Sequence, residues 1–112
     1  MTASESLVIV VLVTAANREE AAHVAEMLVN KRLAACVQIL PEMQSIYHWK
    51  GQIQRESEVL LLAKTIRGRF LDLEREVRAV HSYETPEIIA VEITDASKPY
   101  LDWLMGNVDL ST

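Results

Sequence analysis

Two side chains in this sequence have the chemistry to hold a soft cation or move a proton near neutral pH: the Cys36 thiol and the His81 imidazole. Cys36 lies in Ala35-Cys36-Val37, inside an apolar run. There it reads either as a small buried hydrophobe or as a soft metal ligand or redox thiol needing a second donor. The chain has one cysteine, so no second thiol can supply that donor. His81 opens the turn His81-Ser82-Tyr83-Glu84-Thr85-Pro86-Glu87, just past a helix end. At that place an imidazole complements the helix dipole or bonds the last carbonyls. It could equally be a ligand or proton-transfer group in a crevice beside the sheet, with Tyr83 and Glu84 as neighbouring binding groups. His23 falls on the polar side of a helix and reads as solvated, and His48 sits between Tyr47 and Trp49, as at an interface. No glycine-rich phosphate loop, Cys-x-x-Cys pair or nucleophile elbow accompanies these residues, so no catalytic residue is assigned.

The elements that must position them follow from hydrophobic periodicity. Leu7–Val13 and Val59–Ala63 are unbroken apolar runs, and Ile88–Ile93 is nearly so. A strand with one wet face alternates apolar and polar residues, so strands that do not alternate are covered on both faces. Two amphipathic helices, at about 17–32 and 69–80, provide one cover. Asn17 caps the first in a variant of the capping box with Glu20, and Lys31 and Arg32 close it with the charge its dipole favours. A second strand from about Ala34 to Leu40 is interrupted at Pro41, which places it at an edge or at a bulge, and it resumes through Trp49. Lys50-Gly51 turns the chain into a third strand from Gln52 to Lys64, and a short helix over about Lys98–Met105 follows the fourth strand. The order β-α-β-β-α-β plus a helix predicts an α+β, ferredoxin-like split βαβ fold in one domain over 1–112, with both long helices on one sheet face. The other face is then left for further copies of the chain.

Composition narrows the function classes. The 112 residues carry a formal net charge of −5, which argues against a nucleic-acid partner. Half of them are apolar, which argues against disorder. The seven-residue run Leu7–Val13 is too short to span a bilayer, and Met1–Ser6 before it has no basic residue, as a signal peptide would. With a single cysteine, a cytoplasmic location is the expectation.

Several segments together resemble the CutA divalent-cation-tolerance family: Ala34-Ala35-Cys36-Val37, Ser45-Ile46-Tyr47-His48-Trp49-Lys50-Gly51, Glu58-Val59-Leu60-Leu61, His81-Ser82-Tyr83-Glu84-Thr85-Pro86-Glu87-Ile88 and Tyr100-Leu101-Asp102-Trp103. The resemblance covers nearly the whole chain in order and spacing. It implies a ferredoxin-like fold, a tight homotrimer laid out like the PII signalling proteins, and a part in tolerance of copper and other divalent metals. It implies no obligatory cofactor. Some members of that family are credited with a copper site built from a first-strand cysteine and two adjacent histidines. The matching positions here hold Val13, Val80 and His81, with Ser82 where a proline would follow. Valine has no donor atom, so the expectation is weak binding of copper or another divalent cation, at His81 with help from Glu84 or a neighbouring subunit.

Three functions remain open at this point: a metal-associated trimer, a PII-like regulatory or scaffold trimer with a small ligand or partner protein in its clefts, and a small enzyme using His81 and Glu84. The first ranks highest because the resemblance carries it. In the trimer Tyr47 and Trp49 are expected in or beside the subunit contacts. His81, as a turn residue, is expected to contribute little to the core.

Overall fold

The computed structural model describes residues 7–110. Met1–Ser6, read above as lacking a leader's basic residues, lies outside them. The elements are β1 (Val8–Ala15), α1 (Arg18–Asn30), β2 (Cys36–Trp49), β3 (Gln52–Ile66), a single 3-10 turn (Arg67–Arg69), α2 (Phe70–Val80), β4 (Ile88–Glu92) and α3 (Lys98–Gly106). The four strands form one antiparallel sheet in the order β2-β3-β1-β4. This is the ferredoxin-like arrangement that the periodicity predicts.

Alternation along the central strands sorts their side chains onto two faces. On one, Val11, Val13 and Ala15 of β1 and Val59, Leu61 and Ala63 of β3 join Ala21, Val24, Ala25 and Leu28 of α1 and Leu73 and Val77 of α2 in the main core. Burying each of the larger side chains is worth about 1.5–3 kcal/mol, so this layer holds the helices to the sheet. On the other face lie Val10 and Leu12 of β1, Leu60, Leu62 and Lys64 of β3, and Ile89 and Val91 of β4. The second face is not bare, as the count of two long helices had suggested. α3 closes one end of it, where Leu104 and Val108 pack with Ala35, Ile66, Val8 and Met105. The rest stays open, with Ile89 and Val91 each about half exposed (50% and 51%).

Helix ends differ from the periodicity in ways the backbone explains. Asn17 stands outside α1 as its cap, with Oδ1 accepting the Glu20 N–H at 2.8 Å. α1 stops at Asn30, before the basic pair expected to close it. Arg32 takes a left-handed φ of 56°, and the Leu33 N–H reaches the Leu28 carbonyl at 2.9 Å, so the chain folds back in a Schellman motif. Lys31 pairs instead with Glu76 of α2 at 2.5 Å. α2 is preceded by the 3-10 turn rather than starting as α-helix at Arg69.

β2 runs unbroken from Cys36 to Trp49, and Pro41 appears as a register shift between Leu40 and Met43 rather than as a gap. An edge strand tolerates it because the missing N–H is not owed to a neighbour. The hairpin turns at Lys50 and Gly51, with φ of 52° and 79°, the paired positive values of a two-residue hairpin whose twist matches its strands.

Candidate functional site

The site forms where β1 ends, α1 begins and α2 releases the chain toward β4. His81 is the residue after α2; its N–H still bonds the Val77 carbonyl at 2.9 Å while its backbone turns extended (φ −77°, ψ 142°). That turn sends the ring inward over the last residues of β1, where its side chain has 0% exposure. Nε2 lies 2.7 Å from the Thr14 carbonyl oxygen, and Nδ1 accepts the Tyr83 N–H at 3.0 Å. A nitrogen that accepts from an amide carries no proton, so the partners assign the neutral ring with Nε2–H donating to Thr14.

A carboxylate faces this ring, and it is Glu20 of α1 rather than Glu84. Glu20 Oε2 is 3.9 Å from His81 Nδ1 and accepts the Ser82 N–H at 2.7 Å. Its Oε1 accepts the Ala16 N–H at 2.9 Å. Burial alone would raise the carboxyl's pKa, but the hydrogen-bond donors at Ala16 and Ser82 bring it below the usual carboxylate value. Glu20 therefore does more than cap α1: it ties the β1–α1 corner to the turn after α2. The capping-box spacing is legible in sequence, whereas the grip on Ser82 spans 62 residues and has no local signal.

Tyr83 carries the network onto β3. Its ring packs 4.8 Å from the His81 ring between centroids, and its hydroxyl donates to Glu58 Oε2 at 2.9 Å. Burial, then the hydrogen bond and charge of Glu58, pushes the Tyr83 phenol well above its ordinary range. Glu58 itself is 7% exposed. The sequence marks Tyr83 as a binding residue but not Glu58, although Glu58 stands in one of the quoted motifs. Glu84 is exposed on the turn.

The two sequence-derived metal candidates do not meet. Cys36 is half-buried and pairs across the sheet with Lys64, which pairs with Val10 of β1. Thr14, under His81, is four residues further along β1, about 13 Å at strand rise. Val13 is fully buried in the core and Val80 is 40% exposed. Among the described residues no group of three or more His, Cys, Asp or Glu side chains is placed to hold a metal. With both ring nitrogens engaged and no thiol or second imidazole beside them, the residues present do not fit a resident copper ion. A surface recess of about 410 Å³ lies elsewhere, lined by Ile9, Arg67, Phe70, Leu71, Ala90 and Glu92. His23 and His48 are both exposed.

The fold and this bonded corner define a small ferredoxin-like α+β protein. Residues 9–107 match the CutA1 divalent ion tolerance family, and the chain belongs to it. It is 46% identical over 98 residues to the divalent-cation tolerance protein CutA of Thermus thermophilus, covering 88% of this chain and 95% of that protein. It is 45% identical over 92 residues to human protein CutA, covering 82% of this chain and 51% of that longer protein. Among solved structures, the divalent cation tolerance protein from Thermus thermophilus superposes with a TM-score of 0.89 at 44% identity, over 91% of this chain and 99% of that one. CutA1 from Oryza sativa gives 0.92 at 37% identity, over 97% and 100%.

Proposed function

We propose that this chain acts as a homotrimer in divalent-cation tolerance, binding copper or similar cations weakly and exchangeably rather than holding a resident metal, and that it is not an enzyme. The family match across residues 9–107 carries the tolerance reading. The trimer reading rests on the open sheet face, where Ile89 and Val91 stay half exposed beside Val10, Leu12, Leu60 and Leu62. Apolar patches of that kind mark subunit contacts in soluble proteins. Tyr47 and Trp49, 40% and 48% exposed on the long hairpin, extend the same apolar surface and suit it. Weak binding follows from the site: a cation approaching His81 must displace the Tyr83 N–H from Nδ1 or the Nε2 proton from Thr14. The single, half-buried cysteine supports a cytoplasmic location, although individual relatives are named as chloroplastic or periplasmic.

Light scattering at micromolar protein gives three times the chain mass on this reading. Calorimetric titration with copper(II) gives an affinity in the roughly micromolar range or weaker. Copper that survives dialysis against a chelator overturns the weak-binding reading, and a monomeric mass overturns the trimer. Growth of a copper-sensitive strain on added copper, with and without the expressed chain, tests tolerance itself.

A further inference from the structure

The open face of the sheet carries its charges in an uneven way. Register places Val8, Val10, Leu12 and Thr14 of β1 on that face, with Ile89 and Val91 of β4. Cys36, Gln38 and Leu40 of β2 share it, and so do Met43, Ser45, Tyr47 and Trp49 beyond the bulge. None of these is charged. All the charge comes from β3, with Glu56 and Glu58 toward the hairpin and Lys64 toward α3. Six residues, about 20 Å at strand rise, separate Glu58 from Lys64, so they cannot pair within one copy.

Among the described residues each end also lacks a counter-ion. Glu58 is 7% exposed, yet among the described residues it has a hydrogen bond from the Tyr83 hydroxyl and no ion pair. A carboxylate so far removed from water is normally met by a cation. Among the described residues Lys64 Nζ reaches only the neutral Gln38 Oε1. Between the two lies the apolar stretch of Leu60 and Leu62 flanked by Val10 and Leu12.

A ring of three identical chains closes through a heterologous contact, in which one patch of a copy meets a different patch of the next. An apolar face with acid at one end and base at the other is complementary to itself in that mode, as it is across a twofold axis, and the trimer proposed above selects the heterologous contact. We propose that Lys64 of one copy meets Glu58 of the next, so that the Tyr83–Glu58 pair is half of an inter-subunit site which the neighbouring subunit completes. The inference rests on the trimer reading above and goes beyond it in naming the pair that sets the register of the contact. Electrostatic pairs at an otherwise apolar contact act in this way, fixing orientation and excluding wrong registers.

The test is a double-mutant cycle read by sedimentation of the trimer across a dilution series. Glu58→Gln keeps an acceptor for Tyr83 and removes the charge; Lys64→Met keeps the stem and removes the charge. Each single variant is expected to weaken assembly by at least about tenfold. The double variant is expected to be no worse than the poorer single one, because both remove the same interaction. The reversed pair, Glu58→Lys with Lys64→Glu, is expected to regain trimer that each of its single changes loses, which guards against variants that merely fold badly. Additive losses, an unaffected Lys64→Met, or no recovery in the reversed pair overturn the pairing while the wild-type trimer stands. A monomeric wild type overturns the trimer reading and the pairing with it.

Discussion

The His81 ring donates from Nε2 to the carbonyl oxygen of Thr14 at 2.7 Å, and so joins the end of α2 to the end of β1. That carbonyl is in the same buried corner, since Thr14 is 6% exposed. The ring is therefore part of the packing and not a group held ready at the surface.

His81→Ala is consequently expected to destabilise the fold, contrary to what its place in a turn suggests. It removes both ring hydrogen bonds and leaves the Thr14 carbonyl and Tyr83 N–H unpaired. With the cavity included, a loss of about 2–4 kcal/mol follows. Urea unfolding at neutral pH measures it. A change below half a kilocalorie, roughly the scale of an ordinary surface substitution, would return His81 to the role of a solvated helix-end residue.

Glu20→Gln probes the link between the β1–α1 corner and the Ser82 turn. Glu20 accepts two backbone N–H groups, and a glutamine must turn its NH2 toward one of them. A loss of about 1–3 kcal/mol is expected at pH 7. The pH dependence has a definite sign. The folded pKa lies below the unfolded value of 4.5, so the carboxylate's contribution is whole above pH 4.5 and fades as pH falls through the folded value. Unfolding curves of the two proteins should converge on acidification below that pH. A gap that stays constant from pH 7 to pH 3 would show that the loss is steric and not a matter of charge.

Tyr83 should titrate last among exposed and buried phenols because burial and the bond to Glu58 both oppose ionisation. A raised folded pKa means that its stabilisation is present below about pH 10 and declines as pH rises through the folded value. Absorbance titration of tyrosinate is expected to show a late component that disappears in Tyr83→Phe and moves to lower pH in Glu58→Gln. If the late component persists in Tyr83→Phe, the hydroxyl is not the group held by Glu58.

Arg32→Gly is expected to stabilise the chain. Arg32 holds a φ of 56° at the end of α1, a conformation that costs a non-glycine residue about 1 kcal/mol. Its side chain forms no ion pair among the described residues. The measurable consequence is a rise in melting temperature of several degrees for a domain of this size. A fall would mean that the arginine stem covers apolar surface at the helix end.

The strands, both long helices, the hairpin turn at Lys50-Gly51 and the edge position of β2 were all legible in sequence. Each depends on residues within a few positions of one another: a periodicity of two or three to four, a proline without an N–H, a glycine where φ must be positive. The identity of His81 and Tyr83 as residues that matter was legible too. Their roles were not, because a role depends on which atoms meet them. Glu20 and Glu58 reach the turn from α1 and β3, and no local pattern announces a contact across 62 or 25 residues. The early end of α1 escaped for a related reason, since an arginine in a left-handed conformation carries none of glycine's signal. What only the folded chain decides is whether a histidine has a lone pair to offer. Here the sequence supplies the imidazole and tertiary packing consumes both of its nitrogens, one on the Thr14 carbonyl and one on the Tyr83 amide.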